Sequence, residues 1–171
     1  MAVLVSKPAP FFNDSDKVFS AVLGDGNIVD DFSFKAATKG KYAVVFFYPL
    51  DFTFVCPSEI IAFNNRLEEF KKRNVELISV SVDSQFTHSA WRNTAVDAGG
   101  IGPVGFTMVA DIKREIIQAF DVESDGGVAF RGSFIIDKDG VVQHQVVNNL
   151  PLGRNVDEML RMVDALQFTE E

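Results

Sequence analysis

The chain of 171 residues has a single cysteine, Cys56. One thiol cannot form an internal disulfide, which excludes the disulfide-rich secreted scaffolds. Histidine is nearly as scarce. His88 and His144 stand far from each other and from Cys56, with no ligand spacing, so no metal site or cofactor is expected. Long apolar runs are lacking too, and no stretch approaches the roughly 18 residues of a membrane span. The opening run Met1–Pro8 is too short for a signal peptide and has no basic flank before it. Basic residues are outnumbered, 16 against 24 acidic, for a net charge of −8, which argues against a nucleic-acid partner. A soluble, cytoplasmic protein with a reduced thiol is the expectation. At about 150 residues per domain, residues 1–171 read as one domain, long enough to bury about 70% of its surface unaided.

One residue type is in excess. The 17 phenylalanines, against one tryptophan and two tyrosines, suggest a dense core and sticky subunit surfaces rather than a base-stacking platform. Residues 18–34 read as a hairpin around Gly24-Asp25-Gly26, and Tyr42–Tyr48 is a continuous apolar run, the signature of a strand buried on both faces. After Pro57 the period changes. Ile60, Phe63, Leu67 and Phe70 recur at three and four, an amphipathic helix with Pro57 in its first turn. Val75–Val82 is a second strand, so strand, helix and strand imply a parallel pair.

Ser84 is placed to cap a helix through Trp91, which the glycines at 99, 100 and 102 end. Phe106–Ala110 is a short strand, and Asp111 can cap a helix reaching Phe120. Phe130–Ile136 and Val141–Val147 flank the turn Asp137-Lys-Asp-Gly140. A last helix starts at Asn155, with Glu158 as its capping-box partner. A mixed α/β sheet with helices on its faces follows from this order, with the hairpin as an N-terminal extension and 141–147 as an edge strand.

Cys56 falls where the buried strand hands over to the helix. Unpaired N–H groups and the positive dipole end of a helix start stabilise an anion, so a thiolate there becomes a standing nucleophile. A free cysteine is equally often a small buried hydrophobe, and position alone does not choose. Thioredoxin-type exchange needs a second cysteine three residues on, where Glu59 stands. A cysteine hydrolase needs a histidine base, and neither His88 nor His144 lies in a motif that would supply one. What is left is a thiolate acting alone on a small electrophile.

The segment Tyr48-Pro-Leu-Asp-Phe-Thr-Phe-Val-Cys-Pro-Ser-Glu-Ile60 closely resembles the active-site segment of the typical 2-Cys peroxiredoxins, the group that includes bacterial alkyl hydroperoxide reductase C. Further segments resemble the family in its order: Ser84–Trp91, Gly99–Gly102, Arg131–Asp137, and Asn149–Arg154 followed by Asp157-Glu158. The resemblance implies a thioredoxin-like fold and a thiol-dependent peroxidase for hydrogen peroxide and organic hydroperoxides. It makes Cys56 the peroxidatic nucleophile, oxidised to a sulfenic acid. Thr53 becomes the threonine whose hydroxyl bonds thiolate and peroxide, with an N-cap as its plainer role. Arg131 becomes the arginine beside the sulfur, although as a bare charge in a strand it reads as exposed. Pro49 would shield the pocket, or simply end a strand. Glu59 and Arg154 would orient the arginine, while His88 and Trp91 would pack.

Three further expectations rest on the same resemblance. The first is a homodimer assembling into a decamer. The second is recycling by thioredoxin or a flavoprotein disulfide reductase, through a resolving cysteine that a Val-Cys-Pro segment of the partner subunit's tail would carry. The resemblance runs through Leu166–Thr169 and stops at Glu171, short of that segment. The tail then continues past Glu171, has been removed, or is replaced by an external thiol acting on a one-cysteine peroxidase. The third is a chaperone or redox-signalling role of the oligomer. Gly99-Gly-Ile-Gly102 resembles the loop of members prone to over-oxidation, and equally a glycine turn that ends a helix.

Overall fold

The computed structural model describes residues 3–13, 16–53 and 56–170, with only the backbone of Cys56. Phe54 and Val55 of the cysteine segment lie outside the described residues. The apolar run becomes β3 (Tyr42–Phe47), all six residues buried, and it sits inside a seven-stranded mixed sheet. β3 pairs in parallel with β4 (Val75–Ser81), from Tyr42 opposite Val75 to Phe47 opposite Val80. On its other side lies β6 (Arg131–Ile136), antiparallel. β6 turns through Asp137, whose carboxylate accepts the N–H groups of Asp139 (2.9 Å) and Val141 (3.0 Å), into the edge strand β7 (Val142–Asn148). The hairpin is β1 (Phe19–Val22) and β2 (Ile28–Phe32). It is less an extension than the far end of the same sheet, because β1 pairs antiparallel with β5 (Thr107–Ala110), itself parallel to β4. The order is β2-β1-β5-β4-β3-β6-β7, the mixed sheet of the expected thioredoxin-like fold.

Alternation along β3 divides the core into two layers. Val45 and Phe47 face a cluster with Phe12, Phe19, Phe34, Phe120 and Phe134, while Val44, Phe46 and Tyr48 face one with Phe63, Phe70, Trp91 and Phe106. The rings are in contact, with Phe46 stacked on Phe63 at 3.9 Å and Phe47 edge-on to Phe134 at 5.8 Å. Most of the phenylalanine excess therefore goes into the core, while Phe52, Phe86 and Phe168 stay exposed.

The helices depart from the sequence reading in several places. The helix expected after Pro57 is two: α2 (Cys56–Asn65) and α3 (Leu67–Lys72), broken at Arg66 (φ −106°, ψ 7°). The apolar spacing runs straight across the break, so periodicity cannot reveal it; Arg66 leaves the helix line and pairs with Asp157 (3.0 Å). Before β3 lies an unexpected one-turn α1 (Phe34–Ala37), capped by Ser33 Oγ on Ala36 N (3.2 Å). α4 (Gln85–Arg92) has its expected cap, Ser84 Oγ accepting Thr87 N (3.0 Å), but it ends at Arg92; the glycines instead follow a separate 3-10 turn, Val96–Ala98.

Asp111 caps α5 (Glu115–Ala119) from a distance. Its two oxygens accept Ile116 N and Ile117 N (3.1 and 2.9 Å) across a turn that forces Arg114 to φ 60°. In α6 (Val156–Thr169) only half the capping box forms. Asn155 Oδ1 accepts Glu158 N (3.3 Å), but the Glu158 carboxylate turns to Arg161 (2.7 Å). No helix among the described residues is long and apolar enough to cross a membrane.

The end of α6 is tied to the start of β3 by the Tyr42 hydroxyl, which donates to the Glu170 carboxylate. That bond, aided by burial, pushes Tyr42 from 10.0 up to about 12. The native state thus holds the proton more tightly than the unfolded chain. The stabilisation is complete below the unfolded value of 10.0 and is lost as pH rises through about 12. Denaturant midpoints across that window should fall less steeply for Tyr42→Phe than for the parent.

Candidate active site

β3 is followed by Tyr48 and Pro49, both buried, and α2 begins at Cys56. Pro49 stands two residues past the strand's last residue and is buried. Position 56 is the first residue of a ten-residue helix, where the leading N–H groups lack intrahelical partners and the dipole is positive. In the loop between, Phe52 adopts φ 58°, a left-handed conformation costly for a bulky residue. Thr53, half-buried, donates its hydroxyl to Leu50 O (3.1 Å), a bond within the loop.

One turn into α2 stands Glu59, buried, whose carboxylate accepts from both Arg131 Nη1 and Arg154 Nε. Arg131, at the start of β6, is only 4% exposed, so its apparent exposure as a strand charge was misleading: a carboxylate from the facing helix meets it inside. Its Nε donates to Leu150 O (2.7 Å). Arg154 donates Nη1 to Gly132 O (2.7 Å) and Ser133 Oγ (3.2 Å), and its guanidinium lies 5.2 Å from the Phe46 ring. The two guanidinium groups and the carboxylate they share lie buried beside the first turn of α2. Buried guanidinium groups favour an anion in their vicinity. The structure thus gathers Glu59, Arg131 and Arg154 into one cluster on α2 and places Pro49 and Thr53 on the loop that feeds it.

A second polar cluster, which the sequence reading missed, holds this loop from behind. Asp51 is buried; its Oδ1 accepts the Tyr48 hydroxyl (2.6 Å) and its Oδ2 contacts His88 Nδ1 (2.6 Å). His88 Nε2 donates to Val109 O (3.1 Å), so His88 packs as expected but with both nitrogens engaged. The Asp51 N–H donates to Asp83 Oδ2 (2.8 Å), which also accepts Ser81 Oγ (2.7 Å). Burial, and then the Asp51 charge, pushes Tyr48 well above its ordinary range and raises Asp83. The available signal was an aspartate between Leu50 and Phe52 directly after a buried strand, because such a carboxylate needs a partner.

Across from the loop, Trp91 Nε1 donates to Gly99 O (3.1 Å), and its ring lies 5.9 Å from both Tyr48 and Phe52. Phe52, Thr53 and Pro57 on one side and Val96, Ala98, Gly99 and Gly100 on the other line an open cleft of about 430 Å³. The glycines there are required by space as well as by conformation. Gly99 sits at φ 89°, and a Cβ on Gly100 would stand 2.0 Å from Thr94 O. Among the described residues no group of three or more His, Cys, Asp or Glu side chains could hold a metal ion.

Glu59→Gln would replace the charge that the two buried guanidinium groups share with a neutral amide. Breaking a buried ion pair from one side costs about 3–5 kcal/mol, so a loss of that size is expected in urea titrations.

Comparison with known proteins agrees with this architecture. A model of the AhpC/TSA family matches residues 6–145. Alkyl hydroperoxide reductase C of Buchnera aphidicola subsp. Baizongia pistaciae is 52% identical over 170 residues, covering 99% of this chain and 83% of the relative. Peroxiredoxin-2 of Macaca fascicularis is 49% identical over 172 residues, covering 98% and 81%. The crystal structure of reduced Plasmodium vivax 2-Cys peroxiredoxin superposes with a TM-score of 0.91 at 46% identity, covering 99% of this chain and 84% of that one. A match of this breadth in both sequence and fold places the chain in the AhpC/TSA family, among the peroxiredoxins.

Proposed function

We propose that the chain is a thiol peroxidase in which the Cys56 thiolate attacks one oxygen of hydrogen peroxide or an organic hydroperoxide. An S–O bond forms as the O–O bond breaks. Sulfur is oxidised to a sulfenic acid, and the departing oxygen takes a proton to leave as water or an alcohol. Negative charge moves from sulfur to the leaving oxygen, so the step needs preorganised donors more than a strong base. The observation that carries this reading is the buried Arg131–Glu59–Arg154 cluster beside the helix start at Cys56. Arg131 would stabilise thiolate and leaving oxygen with rigid donors. Thr53 would turn its hydroxyl from Leu50 O to the peroxide. Pro49 would keep water from the sulfur, while Glu59 and Arg154 hold Arg131 in register.

Turnover then requires a thiol to displace water from the sulfenic acid and a dithiol to reduce the resulting disulfide. We assign the first to a resolving cysteine of the partner subunit and the second to thioredoxin or a flavoprotein disulfide reductase, in a homodimer that assembles further and works in the reducing cytoplasm. Turnover with dithiothreitol but none with thioredoxin would assign recycling to an external thiol instead.

Cys56→Ser should abolish peroxide consumption while the far-UV spectrum stays unchanged; a serine variant consuming peroxide at the parent rate would falsify the assignment. Thr53→Val and Arg131→Met should each slow oxidation of the thiol by about 10²–10³-fold, the loss typical of removing a transition-state donor.

A further inference from the structure

The loop that carries Thr53 is held in an unfavourable shape by groups that the peroxidase reading leaves idle. Phe52 stands at φ 58°, and its neighbour Asp51 is anchored at three atoms, Oδ1, Oδ2 and the backbone N–H. Left-handed conformations of bulky residues persist only where the surroundings over-determine them, and this anchoring does so. The anchors are themselves rigid. Tyr48 and His88 are fully buried, and His88 is fixed at its far nitrogen by Val109 O of β5 (3.1 Å). A carbonyl only accepts, so Nε2 carries a hydrogen. The 2.6 Å contact between Nδ1 and Asp51 Oδ2 then needs a second proton, shared between ring and carboxyl.

We infer that Asp51, locked by Tyr48 and His88, is a positioning residue. It fixes the strained turn at Phe52 and thereby holds the Thr53 hydroxyl where the peroxide must bind. This rests on the reading of Cys56 as nucleophile and Thr53 as donor. It goes further in making rate depend on a buried cluster to which the peroxidase reading gives no part. Displacements of about 1 Å in a positioned donor can cost about 100-fold in rate, so a loosened loop has room to matter.

The test uses the full chain in single-turnover mixing with hydrogen peroxide, quenched by thiol labelling of the unreacted Cys56. Asp51→Ala removes the side-chain anchors, and Tyr48→Phe removes one while keeping the ring volume. Asp51→Asn keeps both side-chain bonds, since its amide can donate to Nδ1 and its carbonyl can accept from Tyr48. Expected are a fall of about 10- to 100-fold for Asp51→Ala, a smaller fall for Tyr48→Phe, and rescue to within about threefold by Asp51→Asn. On a Thr53→Val background the same changes should cost less than about twofold, because the group they position is gone.

If Asp51→Ala fails to fold, Tyr48→Phe alone decides. Folded anchor variants that react within twofold of the parent overturn the inference, and so do equal losses in the presence and absence of Thr53. A parent chain that does not react with peroxide overturns the peroxidase reading itself, which separates the two failures.

Discussion

Glu59 is the constraint on which the site depends. Two arginines from different parts of the chain converge on its carboxylate and also exchange backbone contacts. Arg131 of β6 binds Leu150 O in the segment before α6, and Arg154 of that segment binds Gly132 O in β6. This reciprocal clamp would press two like charges together in a dry space if the carboxylate were absent. With it, α2, β6 and the approach to α6 are bound to a single geometry. The start of α2 is thereby held in place from the inside, by charge, at the end of the molecule where its dipole is most positive.

The sheet supplies the platform for that arrangement. β3 is apolar on both faces, so it can sit only in the interior, and its carboxyl end opens directly into the loop and helix that carry the candidate site. Placement beyond the carboxyl end of a parallel strand is the general habit of α/β sheets. The phenylalanine layers on either side remove freedom from this end. Phe46 and Phe63 lie stacked on one another, and the Arg154 guanidinium lies over both, 5.2 and 6.0 Å from the ring centres. The apolar core and the charged cluster therefore share side chains.

What could be read in advance follows a physical division. Period and turn chemistry are local, so β3, β4, the Asp137 turn and the Ser84 cap were all legible from a few residues each. The break at Arg66 was not, because the apolar register continues through it, and α1 is a single turn too short to show a period. Glu59, Arg131 and Arg154 entered only by family resemblance. Their charges lie 72 and 95 residues apart in pairing, and nothing local tells a buried arginine from an exposed one. The Asp51–His88 contact spans 37 residues and joins two segments that were each recognised without their connection being visible.

The side of the cleft nearest Phe52 has a consequence for observation. Trp91 is the chain's single tryptophan, fully buried, with its ring between Tyr48 and Phe52 and its indole N–H on Gly99 O. All indole emission from the protein therefore originates in the partition between the loop leading to Cys56 and the glycine loop opposite. A change in its colour or lifetime is a message from that partition alone, sent without any label having been added.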